Sequence, residues 1–308
     1  MGLMDKLGIS YKANYLVQGN QIERCNVSKK LGVSNTELMI RTDGKDSNLD
    51  NILKNYNGNI VFHLPAVNIN LSNLDVVNDV AKKLKSHNVK LITIDASNLS
   101  LDLFEWSTLD EQKLYFLNMV TAIATIASNK IEVAIQNLSP DDSETKYGST
   151  MEQITDLLVY TKNMLVKDFG FKEEDANKYV GISLNVDNIN LVNKNESIIN
   201  YLEVFNNYIK CIKIHDIEKI EEVLKFIEDK DIPIFMTTKS DLDEIENEYE
   251  EFKNVVIKYL EDKGEIVKKT KKTVKKEKNN KGFSNIVIYT MIVLTIAIII
   301  LMFMVKLR

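Results

Sequence analysis

The feature that most constrains the fold is the regular alternation of apolar, strand-like runs with amphipathic stretches across residues 1–262. Most of the runs are almost continuously apolar, as expected for parallel strands that are buried on both faces. The runs are KLGISYKA (6–13), TELMIRT (36–42), NIVFHLPA (59–66), VKLITIDAS (89–97), KIEVAIQNL (130–138), VGISLNVDN (180–188), IKCIKIHD (209–216) and DIPIFMTT (231–238).

Eight strands alternating with helices over this length predict an α/β fold, a (β/α)8 TIM barrel. The helical stretches are 74–88, 111–129, 151–168, 196–208 and 217–231, and the first crossover, 14–35, is predicted to be irregular. A doubly wound open sheet is the alternative, but it usually has fewer strands and a Gly-rich first turn. The chain has only 11 glycines, and neither GxGxxG nor GxxxxGK[ST] occurs in it.

In a TIM barrel, functional side chains gather at the carboxyl ends of the strands. Lys213 shares a strand face with His215 and is interpreted either as a cation in a polar mouth or, preferably, as an interior residue paired with an acid. The candidate ligand-binding residues are His63, Asp95, Gln136, Asn185, Asn188, Lys213, His215 and Asp216.

The C-terminal region predicts a membrane anchor. IVIYTMIVLTIAIIILMFMV (286–305) contains no charged residue, and as a helix it would span about 30 Å, the thickness of a bilayer's hydrocarbon core. We therefore predict a barrel at 1–262, a flexible Lys-rich linker at 263–284, a single transmembrane helix at 285–305 and a short basic tail at 306–308.

The charge distribution predicts how this anchor is oriented. Residues 263–308 hold eleven basic and two acidic residues, a net +9, which leaves −14 for residues 1–262 of the total of −5. The lysines preceding the span place the barrel in the cytoplasm by the positive-inside rule, and the N-terminus lacks the apolar segment of a signal peptide. We expect the linker to contact anionic headgroups of the cell membrane, whereas nucleic acid is not expected beside an acidic body. Cys25 and Cys211 fit no disulfide or zinc spacing, as is usual in a reducing compartment.

Several strands also carry short motifs that occur together in one superfamily. TELMIR is similar to a "vEl" strand, IVFHLPAVNINLS to "vHxPyxiNLa", AIQNL to "xiENl", ISLNVDN to "lDtxH" and IKIHD to "vHlxD". Taken together, residues 6–240 resemble the xylose-isomerase-like TIM-barrel superfamily, which includes sugar-phosphate isomerases, epimerases and endonuclease-IV-like repair enzymes. The resemblance implies a site for zinc, manganese or magnesium, held by Glu, Asp, His and Glu around the barrel mouth.

The implied metal ligands are replaced by amides. The Glu of "ENl" corresponds to Gln136, the Asp of "lDtxH" to Asn185 and its His to Asn188, and PIFMTT offers no late acid. Amide oxygens bring no charge to offset the dehydration of a divalent cation. His63 and His215 are the residual metal candidates.

These replacements lead to the functional prediction. We expect a tail-anchored, single-pass membrane protein whose barrel is a pseudoenzyme, a binding or scaffolding module with no catalytic residue and no cofactor. Its amide-rich mouth would suit a polyhydroxylated ligand, and a membrane protein partner is a further prediction. The alternative is a divergent isomerase or epimerase, or an endonuclease-IV-like hydrolase, with zinc or manganese and His63, His215, Asp216 and Asp95.

Overall fold

Eight parallel strands form a closed barrel in the order β1 to β8, with β1 paired to β8, as the alternating pattern predicts. The computed structural model describes residues 2–11, 21–39, 49–56, 58–64, 74–97, 105, 108–139, 146–192, 197–238, 240 and 244–264. The strands are β1 (Leu7–Ser10), β2 (Asn35–Met39), β3 (Asn59–Leu64), β4 (Leu91–Asp95), β5 (Glu132–Gln136), β6 (Val180–Asn185), β7 (Ile209–Ile214) and β8 (Ile234–Thr237).

Helices connect the strands. They are α1 (Gln21–Lys30), α2 (Leu49–Asn55), α3 (Leu74–Ser86), α4 (Leu109–Ser128), α5 (Met151–Lys167), α6 (Glu173–Tyr179), α7 (Val186–Val192), α8 (Ile198–Val204), α9 (Ile220–Ile227) and α10 (Ile245–Asp262), with 3-10 turns at Leu3–Lys6 and Ile217–Lys219. The first crossover, predicted to be irregular, contains α1. The sixth run ends as a strand at Asn185 rather than at residue 188, because α7 begins at the next residue.

The local sequence explains where these helices begin and which face they bury. Thr108 caps α4 and Thr150 caps α5, and each hydroxyl accepts a hydrogen bond from the backbone three residues later in a reciprocal capping box. The buried side chains of α9 recur at the three- and four-residue spacing of one helical face: Ile220, Val223, Leu224 and Ile227.

The chain separates into two units, Met1–Val256, which contains the barrel, and Ile257–Arg308. The structure describes the second unit only to Gly264. The predicted transmembrane helix, 285–305, and nearly all of the Lys-rich linker lie outside the described residues. Within the described part of the chain, no helix is both long and apolar enough to cross a bilayer.

Candidate functional site

The barrel interior consists of an apolar layer and a polar layer. The apolar layer is the cluster of Val61, Leu91, Ala134, Cys211 and Phe235. Because alternate residues of a strand face the same side, the residues two positions further along these strands also face inward, nearer the carboxyl ends. These residues are polar: His63, Thr93, Gln136, Lys213 and Thr237.

The centre of the polar layer is a buried ion pair between β7 and β2. The Lys213 ammonium donates to Glu37 Oε1 at 2.5 Å and to Gln136 Oε1 at 2.6 Å, and Thr93 Oγ1 lies 3.5 Å from it. The side chains of Lys213 and Glu37 are 1% and 0% exposed. One cation therefore connects β2, β4, β5 and β7 across the interior.

Glu37 is held as a carboxylate by its neighbours. Burial alone would raise the pKa of Glu37, but the charges of Lys213 and His63, with hydrogen bonds from Lys213 and Ser10, lower that pKa to about 2. Ser10 donates to the second carboxylate oxygen, Oε2. Glu37 is consequently a carboxylate throughout the neutral pH range.

A chain of hydrogen bonds extends from this ion pair toward the mouth. The Thr93 hydroxyl donates to Glu37 Oε1 at 2.5 Å, so its single proton is used there. His63 Nδ1, 2.9 Å from the same hydroxyl oxygen, is therefore the donor in their contact. His63 Nε2 lies 3.2 Å from Asp95 Oδ2, and the Asp95 side chain is 18% exposed. We call Ser10, Glu37, His63, Thr93, Asp95, Gln136 and Lys213 the interior network.

Two of the predicted amides bind the backbone instead of facing the interior network. Asn137, fully buried, donates to the carbonyl of Asn185 at 2.9 Å and accepts from its N–H at 2.6 Å. Asn188 donates to the carbonyl of Asn137 at 3.0 Å, and Asn185 Oδ1 accepts from the N–H of Asp187 at 3.2 Å. These contacts join the ends of β5 and β6 and turn the chain into α7.

A second backbone cluster forms around Asp187. Its carboxylate accepts from the N–H groups of His215 at 2.6 Å and Asp216 at 3.1 Å. The exposed His215 ring lies with Nδ1 2.8 Å from the carbonyl of Thr237. Asp216 accepts from the N–H of Glu218, and its charge is paired with Lys219 at 3.2 Å. This cluster fixes the loop after β7 against β8.

The structure therefore brings together four of the eight candidate residues in the interior network: His63, Asp95, Gln136 and Lys213. Asn185, Asn188, His215 and Asp216 take part in the two backbone clusters. Four residues of these clusters were not among the candidates predicted from the sequence: Ser10, Glu37, Thr93 and Asn137. A signal for Glu37 was available, since an acid inside the apolar run TELMI requires a buried partner.

Comparisons by structure identify the type of barrel. The chain is similar to a D-tagatose 3-epimerase-like protein (17% identity, TM-score 0.58, covering 84% of this chain and 98% of that one). It is also similar to an L-ribulose 3-epimerase (11% identity, TM-score 0.60, covering 88% of this chain and 100% of that one). A third similar structure is an AP endonuclease, family 2, from Brucella melitensis (11% identity, TM-score 0.58, covering 81% of this chain and 98% of that one). No protein-family profile and no curated protein sequence matches the chain.

The similarity extends over nearly the full length of barrels from the superfamily indicated by the strand motifs. The chain has the fold of the xylose-isomerase-like TIM barrels. In the motif "vHlxD" the histidine precedes the aspartate by three residues, which is the spacing of Lys213 from Asp216. By this spacing Lys213, and not His215, corresponds to the motif's histidine, and it is Lys213 that lies in the interior.

The residues present do not fit the divalent metal that such a fold implies. The Lys213 ammonium lies against Glu37 and Gln136, and a second cation there would face an ammonium and an uncharged amide. His63 is already joined to Thr93 and Asp95. Within the described ranges, no group of three His, Cys, Asp or Glu side chains could hold a metal ion.

Proposed function

We propose that the chain is a metal-independent binding barrel whose mouth takes a neutral, polyhydroxylated ligand. The observation that carries this proposal is the Lys213 ammonium, which donates to both Glu37 and Gln136 and so neutralises the interior with a charge of the protein's own. An interior with a balanced charge favours neither a metal cation nor a strongly charged ligand. Asp95 and the exposed His215 supply hydrogen-bonding groups nearer the solvent.

Metal analysis tests the proposal directly. The full-length protein, purified in detergent, is expected to contain no stoichiometric zinc or manganese and to show no change in melting temperature when either ion is added. The matched control is the double variant Lys213→His, Gln136→Glu, which places an imidazole and a second carboxylate beside Glu37 and is expected to gain metal affinity. Stoichiometric metal in the unaltered protein would overturn the proposal. Binding of a ketohexose that occurs only when metal is supplied would overturn it as well.

A metal-dependent epimerase or endonuclease-IV-like hydrolase is the second candidate function. It is supported by the similarity of the fold to two epimerase or epimerase-like structures and to an AP endonuclease. The His63–Asp95 pair could exchange a proton with a bound sugar. This candidate requires metal ligands from outside the described residues, since Glu37 is paired with the Lys213 ammonium, which also donates to the uncharged Gln136. The same metal analysis separates it from the binding barrel.

We further propose that residues 286–305 hold the barrel on the cytoplasmic face of a membrane. An uncharged segment of this length matches the hydrocarbon core, and the preceding lysines complement anionic headgroups. In cell fractionation, detergent is expected to release the protein from membranes and high salt is not. Release by salt would mean that the lysines alone hold it, and a matched truncation after residue 264 is expected to remain in the soluble fraction.

A further inference from the structure

A groove lies between helices α5 and α6 on the outer layer of the barrel, away from the interior network. Its volume is about 350 Å³, within the range of small-ligand sites. The residues that line it are Val159, Lys162, Asn163, Val166, Lys167, Glu173, Ala176 and Asn177. A volume of this size suits a ligand of a few heavy atoms and not a folded partner.

The α5 wall of the groove is partly apolar. Val159 and Val166 are two helical turns apart on the same face of α5 and are 52% and 36% exposed. Both therefore present methyl groups to solvent at the groove, where a short hydrocarbon chain could cover them.

Lys162 lies between the two valines, and its contacts are with an amide and an aromatic ring. Its ammonium is 3.8 Å from the centre of the Tyr208 ring and donates to Asn177 Oδ1 at 3.1 Å. No carboxylate in the described part of the chain forms an ion pair with it, whereas the nearby Lys210 is paired with Glu132 at 2.9 Å. Burial, and secondly the charge of Lys210, lower the pKa of Lys162 to about 8.

The charges around the groove indicate which class of ligand it would bind. Lys162 and Lys167 contribute two positive charges and Glu173 one negative charge, which leaves a net positive groove. We propose that this groove is a binding site for a small monocarboxylate with a short apolar chain, whose carboxylate pairs with Lys162 while the chain covers Val159 and Val166. A single negative charge would neutralise the groove and satisfy the half-buried ammonium.

The proposal has a pH signature. A bound carboxylate stabilises the charged form of Lys162, so its pKa is higher in the complex than the value of about 8 in the free protein. Binding is then strongest below that value and weakens as the pH rises through it. Affinity is expected to fall about tenfold between about pH 7 and about pH 9. An exposed lysine with an ordinary pKa would give almost no change over this interval.

Hexanoate is a suitable probe, with hexanamide as its uncharged match. Binding to the full-length protein in detergent is followed by isothermal titration calorimetry, with NMR of ¹³C-methyl-labelled Val159 and Val166 as an independent readout. Lys162→Met keeps the length of the side chain and removes the charge. Lys178→Met is the matched control, since it removes an exposed lysine of α6 that is not among the residues lining the groove.

The expected result is that hexanoate binds and hexanamide does not, with affinity reduced at least tenfold in Lys162→Met and less than threefold in Lys178→Met. The two valine methyl signals should shift on binding. The proposal is overturned if hexanoate and hexanamide bind equally, if Lys162→Met binds hexanoate like the unaltered protein, or if affinity is unchanged between the two pH values. Absence of binding at millimolar hexanoate would overturn it as well.

Discussion

Lys213→Met is expected to lower the free energy of unfolding by about 3–5 kcal/mol, the usual cost of removing one partner of a buried ion pair. The substitution leaves the Glu37 carboxylate, which is fully buried, with its hydroxyl donors but without a compensating positive charge. It also removes the donor to Gln136 Oε1. Chemical denaturation followed by circular dichroism measures the loss.

Two variants make this prediction specific. Lys210→Met removes a lysine three residues earlier on the same strand, where the pair with Glu132 is partly exposed, and is expected to cost less than about 1 kcal/mol. Adding Glu37→Gln to Lys213→Met removes the stranded charge and should recover part of the stability. If Lys213→Met were no more harmful than Lys210→Met, the ion pair would not be the element that holds the interior together.

The barrel could be predicted from the sequence because each strand is a nearly continuous apolar run that needs no partner to be recognised. Three short helices could not: α2, α6 and α7 have seven residues each, and no predicted helical stretch covers them, whereas the equally short α8 lies within the predicted stretch 196–208. The end of β6 was also placed too late, because the turn after Asn185 depends on Asn137, 48 positions earlier in the chain. Such a contact forms only once β5 and β6 are paired.

The inward-facing residues could be predicted by the same reasoning, but their partners could not. Alternation along a strand places Gln136 and Lys213 inside the barrel, and a buried lysine requires an acid. The acid is Glu37, 176 positions away, and only closure of the barrel brings β2 and β7 close enough for contact. Asn185 and His215 obey the same alternation, yet they lie where the chain leaves the sheet. There, backbone groups that have lost their strand partners bind these side chains.

Acid is expected to remove the stabilisation that Glu37 provides. The pKa of Glu37 is about 2 in the folded protein and 4.5 in the unfolded chain. The contribution of Glu37 to stability is therefore complete above about pH 5 and is lost as the pH falls toward 2. The full difference corresponds to about 3 kcal/mol, of which roughly 2 kcal/mol should be lost by about pH 3.

Glu37→Gln isolates this effect from the titration of the other acids. The difference in unfolding free energy between the unaltered protein and Glu37→Gln, measured by urea denaturation at a series of pH values, should shrink steadily between about pH 5 and about pH 3. A matched variant, Glu132→Gln, removes a partly exposed acid whose surface pair with Lys210 contributes little to stability, and it serves as the control. A constant difference for Glu37→Gln would mean that the pKa of Glu37 is the same in the folded protein and in the unfolded chain, which would contradict the prediction. If the unaltered protein instead gained stability relative to Glu37→Gln as the pH fell, the buried carboxyl would be protonated at neutral pH, and Lys213 would face a neutral acid.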